Sequence, residues 1–123
     1  MPLVHWKTQD TGTRLTLKRP KTLNYLSWEL AQDCLSACAA IAKEPSRVVV
    51  LQGAGKAFSA GGDLGFIEDN CKRPQSSLAG RMERFYGSFL SMRALPQVTI
   101  AKIQGAAIGA GCILALACDL RVV

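Results

Sequence analysis

Leu15 and Leu17 alternate with Thr16 and Lys18, the two-residue period of a strand with one buried face. A similar stretch precedes them, so strands are predicted over 3–7 and 13–18, joined as a hairpin with Gly12 near its turn. The period then lengthens: Trp28, Ala31, Leu35, Cys38 and Ala42 recur at spacings of three and four. That is a helical stripe, which Ser27 caps and which ends near Lys43, before Pro45. Residues 48–51 are an unbroken apolar run, as in a strand covered on both faces, and lead directly into a glycine loop over 53–63. A polar, charged segment through Glu68, Asp69, Lys72 and Arg73 follows. A helix is then predicted from Ser76 or Ser77 to Arg93, with Met82, Phe85, Phe89 and Met92 as core packing. Residues 98–103 form a second buried-type strand, 105–111 a second glycine loop, 110–117 a short helix and 119–123 a last strand. The unit of strand, glycine loop and helix occurs twice, an α/β pattern.

The 123 residues suffice for one core, and with 49% apolar and 20% charged residues the chain is expected to fold. A net charge of +6 suits an anionic partner: nucleic acid, acidic lipid or a phosphorylated small molecule. The basic residues are scattered without the aromatic-basic motif of a nucleic-acid module, so no nucleic acid is expected. Five cysteines, an odd number without a CxxC pair, indicate neither a disulfide framework nor a zinc clip. A reducing, cytoplasmic compartment is the expectation. His5 is the only histidine, which excludes a multi-histidine metal site, and no metal is expected. The N-terminus lacks a signal-peptide pattern, and the longest uncharged run, 103–118, falls short of the roughly 20 residues of a membrane span. The chain stops on the apolar run Leu120-Arg121-Val122-Val123, which leads to the expectation of a truncated fold.

Neither glycine loop fits a phosphate or dinucleotide motif. For a phosphate loop, Gly53-Ala54-Gly55-Lys56 would need glycine where Val50 stands and Ser or Thr where Ala57 stands. The dinucleotide pattern would need glycine at Phe58, and the second loop has its spacings reversed. Two readings remain: tight turns, or strand-to-helix handovers whose unpaired N–H groups admit a ligand closely. Two such donors facing one point would make an oxyanion hole.

Four stretches carry a resemblance: Lys18-Arg19-Pro20-Lys21-Thr22-Leu23-Asn24, the run 55–64 from Gly55 to Leu64, the run 103–112 from Ile103 to Cys112, and Ala115-Leu116-Ala117-Cys118-Asp119. In this order the chain resembles the crotonase, or enoyl-CoA hydratase/isomerase, superfamily. The resemblance implies a crotonase-like spiral of ββα units, with residues 1–123 as its N-terminal core and the C-terminal part absent. It implies an acyl-CoA thioester partner, with coenzyme A as part of the substrate, no separate cofactor, and a place in fatty acid metabolism. Two backbone N–H groups would stabilise the enolate-like thioester oxygen, and the motif match places them on Ala60 and Ala110. Gly61, Gly62, Gly109 and Gly111 would admit the thioester without a clash. Phe58 and Leu64 would wall the acyl or pantetheine channel, though both serve equally as core residues. Lys21 and Leu23 match the loop beside the CoA chain, and Lys21, Lys56 and Arg19 are candidates for phosphate or for ordinary solvated surface. Asp63 is read as a helix N-cap or loop organiser, Asn24 as a tie between loop and backbone, and Cys112 as a small buried residue.

One departure bears on the chemistry. The family's hydratases use two glutamates, the first three residues after the second oxyanion donor, where this chain has Ile113; the second would lie past Val123. The expectation therefore moves from a two-glutamate hydratase to an isomerase, hydrolase or decarboxylase. The alternative is a catalytically silent CoA-binding or interaction protein. The resemblance also implies a homo-oligomer, trimer or hexamer, when complete, and self-association of this segment alone.

Overall fold

The opening hairpin sets the sheet. In a computed structural model of the protein, which describes residues 2–123, β1 (Val4–Gln9) and β2 (Gly12–Leu17) pair antiparallel, with Val4 opposite Leu17 and Gln9 opposite Gly12. Asp10 takes the left-handed turn position at φ 56°, a conformation Asp tolerates better than most residues. Thr13, Leu15 and Leu17 face the core, as their two-residue period requires. Strands β3 (Val48–Gly53), β4 (Val98–Lys102) and β5 (Leu120–Val122) then add in parallel, giving the order β1-β2-β3-β4-β5.

Parallel neighbours need crossover connections, and helices supply them. Helix α1 (Trp28–Ile41) links β2 to β3. Helices α2 (Leu64–Cys71) and α3 (Leu78–Leu90) link β3 to β4, and α4 (Ala110–Leu116) links β4 to β5. The predicted strands and helices are present, with ends displaced by a few residues at most for all but the helix predicted to reach Arg93, whose last turn is a 3₁₀ helix over Ser91–Ala94.

Two readings change. The buried face of α1 is Leu30, Ala31, Cys34, Ala37, Cys38 and Ile41, whereas Trp28 and Leu35 are 39% and 43% exposed. The contact line is built mostly from small side chains that let the helix approach closely, so the large apolar residues marked the wrong stripe. The polar segment after the first loop is helix α2, which has little apolar face to announce it: Phe66 stacks on Phe85 of α3 with centroids 4.0 Å apart, and Asn70 is its buried residue. Phe85, Phe89 and Met92 are buried as expected, and Phe85 and Phe89 meet edge to face at 5.2 Å. All five cysteines are free thiols. Among the described residues no helix is long and apolar enough to cross a membrane.

Candidate active site

Strands β3 and β4 run parallel, so the two glycine loops leave the same end of the sheet, where open α/β folds place ligands. There the loops join. Ser59 and Ala107 form a parallel bridge; the Ser59 carbonyl accepts from the Ile108 N–H at 3.0 Å, and the Ala106 carbonyl accepts from the N–H groups of Phe58 and Ser59 at 3.0 and 3.1 Å. The approach leaves no space for side chains. A Cβ on Gly111 would lie 2.4 Å from the Ser59 carbonyl oxygen. One on Gly61, whose φ is +105°, would lie 2.9 Å from the Ile108 oxygen and 3.9 Å from the Ala110 nitrogen.

A third segment locks this pair in place. Leu23 and Asn24 both occupy the left-handed region, at φ 54° and 53°. Asn24 is fully buried: its Oδ1 accepts from the Arg19 N–H at 2.8 Å, and its Nδ2 donates to the Ala54 and Ala57 carbonyls at 2.9 Å each. The Ser59 hydroxyl donates back to the Asn24 carbonyl at 2.8 Å. Asn24 is thus the tie between segments that its position suggested. Gln104 acts similarly from the end of β4, its amide donating to the carbonyls of Gly53, Gly55 and Ala57. The sequence reading passed over Gln104; its position directly before the second glycine loop was the available signal.

The two donors named by the motif match differ in their partners. The Ala60 N–H donates to the Leu23 carbonyl at 2.9 Å and is therefore engaged. Leu26 pairs with the next residues, its N–H donating to the Gly61 carbonyl at 2.8 Å and its carbonyl accepting from the Asp63 N–H at 2.9 Å. The Gly62 N–H between them finds no acceptor among the described residues. In an ordinary extended strand the N–H groups of residues 60 and 62 would share a side. The positive φ of Gly61 breaks that alternation. The Ala110 N–H, first of α4, likewise has no acceptor among the described residues, and Gly109 precedes it at φ 56°. Gly62 and Ala110 are thus unpartnered donors, as are Ala107 and Gly109, on loops whose backbones meet at Gly61.

The other predicted residues divide. Asp63 caps α2, its Oδ1 accepting from the Phe66 N–H at 3.2 Å. Its other oxygen lies 3.6 Å from Arg19 Nη1, and Arg19 also donates to the Tyr25 carbonyl, so Arg19 is committed within the fold. Lys21 and Lys56 are exposed on segments that touch, since a Cβ on Gly55 would sit 2.9 Å from Pro20 Cβ. Leu23 is half-buried beside them. Phe58 is entirely buried as part of the hydrophobic core, with no surface open to a channel. Leu64 is 70% exposed, and on the same helix Ile67 approaches Gly62, its Cδ1 being 3.2 Å from where a Cβ there would stand. Cys112 is exposed rather than buried, and Ile113, one turn into α4, is 50% exposed.

Comparison with known proteins follows the same lines. The family model described as Enoyl-CoA hydratase/isomerase matches residues 7–123. The chain is 39% identical over 115 residues to a Mycobacterium bovis protein named "Probable enoyl-CoA hydratase echA12", covering 89% of this chain and 40% of that protein. Among solved structures, an enoyl-CoA hydratase/isomerase from Xanthobacter autotrophicus superposes with a TM-score of 0.88 at 28% identity, over 97% of this chain and 45% of that one. An enoyl-CoA hydratase from Thermoplasma volcanium gives 0.86 at 29% identity, over 98% and 48%. The chain thus spans about two fifths of that curated relative and somewhat under half of these solved chains.

Proposed function

The chain belongs to the enoyl-CoA hydratase/isomerase family, and from that premise we propose that it binds an acyl-CoA thioester and stabilises the enolate-like oxygen with the N–H groups of Gly62 and Ala110. The observation that carries this reading is that these two donors lack acceptors while the Ala60 N–H has one. Each such donor contributes on the order of 3 kcal/mol when aimed at developing negative charge. The glycines between the loops keep side chains from the space the thioester oxygen needs. In this reading Lys21 and Lys56, exposed on adjoining segments, would meet the phosphates of coenzyme A.

Ile113 shapes the reaction class. No carboxylate stands on the first turn of α4, so a water held between two glutamates is not part of the proposal. Enolate chemistry of the isomerase type is. A second reading, favoured by the same Ile113, is a chain that binds acyl-CoA without turnover.

Amide chemical shifts during titration of 15N-labelled protein with acetyl-CoA test the donor assignment. The Gly62 and Ala110 resonances are expected to move most and to saturate together, with Ala60 largely unmoved. Movement centred on Ala60, or no saturable movement, refutes it. Assays with 2-enoyl-CoA for hydration and 3-enoyl-CoA for isomerisation separate the two readings: isomerisation without hydration supports the enzyme, whereas binding without either supports the silent binder.

A further inference from the structure

Helix α2 has two working faces. Ile67 lies beside Gly62, while Phe66, Asp69 and Asn70 of α2, with Arg73 just past its end, line a pocket of about 580 Å³ between α1 and α3. Neither Gly62 nor Ala110 lines the pocket, which begins at Asp63, and the thioester reading makes no use of it.

Its charges are unevenly matched. Four guanidinium groups, Arg19, Arg73, Arg81 and Arg84, face three carboxylates, Glu29, Asp63 and Asp69. Arg19 lies with Asp63 at 3.6 Å and Arg73 with Asp69 at 3.1 Å. Among the described residues, neither Arg81 nor Arg84 has a carboxylate within 4.0 Å. Arg81 is held in place by its Nε bond to Asn70 Oδ1 at 2.7 Å and its Nη1 bond to Ser77 Oγ. Its Nη2 is shielded from solvent and has no acceptor. Arg81 is thus positioned through two of its nitrogens, and together with the exposed Arg84 it brings cationic charge to the pocket with no carboxylate of the fold to balance it.

An apolar lane leads away from this cation pair. Trp28 and Arg84 also line an adjoining groove of about 430 Å³, which continues between α1 and α3 along Leu35 and Gly87. Trp28 and Leu35, the two large side chains on the outer face of α1, are its apolar walls. A cationic end continuous with an apolar track matches a ligand with an anionic head and a short hydrocarbon tail. We propose that the pocket and groove together form a second ligand site, for a single-chain carboxylate whose head meets Arg81 and Arg84 and whose tail runs along Trp28 and Leu35.

Decanoate, below its micelle concentration, is the probe, with decanol as the neutral control and Trp28 fluorescence as the readout in a Trp6→Phe background. A saturable change with decanoate, and one at least about tenfold weaker with decanol, is expected from a charge-assisted contact. Arg84→Gln, which breaks no hydrogen bond of the fold, is expected to weaken decanoate about tenfold. Leu35→Ser is expected to weaken decanoate but leave butyrate unchanged. In the unmutated protein the Arg81 and Arg84 side-chain Nε–H resonances should shift with decanoate while the Gly62 and Ala110 amides stay in place, a readout independent of any variant's folding. Equal responses to decanol, an unchanged affinity in Arg84→Gln, or shifts at Gly62 and Ala110 in place of the arginines overturn the proposal. None of these outcomes depends on whether acyl-CoA binds at Gly62 and Ala110.

Discussion

At Asn24 a single amide holds three backbone segments together: Oδ1 takes the Arg19 N–H while Nδ2 serves the Ala54 and Ala57 carbonyls. The residue also bears a left-handed backbone, which Asn accepts more readily than most side chains. Replacement by Ala removes both advantages and leaves buried backbone groups unpaired. The expected cost of Asn24→Ala is on the order of 3 kcal/mol, read as a lowered urea midpoint at unchanged slope. Asn24→Gly, which keeps the backbone conformation and loses only the hydrogen bonds, should fall between that variant and the parent. An effect of Asn24→Ala within a few tenths of a kcal/mol would show that the ties contribute little. The backbone donors make a related point at the same scale. The Ala60 N–H is taken by the Leu23 carbonyl while the Gly62 N–H has no acceptor among the described residues. Which way an amide points depends on the φ of Gly61, which a string of residue names does not state.

Among the elements, α2 is the one that composition concealed. Its buried aromatic contact is Phe66 on Phe85, while Leu64 and Ile67 are exposed, and its start is set by the Asp63 side chain. Asp63→Ala removes that cap and the Arg19 ion pair, with an expected loss of about 1 kcal/mol. Faster hydrogen exchange at the first-turn amides, Phe66 above all, is the local readout; unchanged protection there would mean that packing against α3 alone holds the helix. Helix α1 errs in the opposite sense. Its existence, cap and end were legible, since Ser27 accepts from the Leu30 N–H as expected. Its orientation was not, because the sheet's proximity favours Ala and Cys on the contact line.

Over the whole molecule, apolar surface gathers at one end. All of β5 is exposed, and Ile108, Ile113 and Leu116 add to the same region of the fold around α4. The strand is also a sheet edge with unsatisfied pairing capacity, a surface that invites association. Sedimentation at micromolar concentration is expected to show this chain self-associated, and the double substitution Leu116→Lys with Val122→Lys is expected to shift it toward monomer. A parent chain that sediments as a clean monomer would contradict this.

What the linear order determined by itself was local and periodic: the hairpin, the buried strands, the places where Pro and Gly interrupt, and the family to which the glycine loops and their flanks point. Those features depend on neighbours within a few residues, so they can be read without a fold. What only tertiary structure decided was direction. The inward face of α1, the depth of Phe58, the exposure of Cys112 and the pairing of the Ala60 N–H with Leu23 all follow from how segments distant in sequence press on one another. Those contacts, Leu23 with Ala60 and Leu26 with Gly61 and Asp63, join residues more than thirty positions apart. They arise only once the sheet has brought its loops to one end.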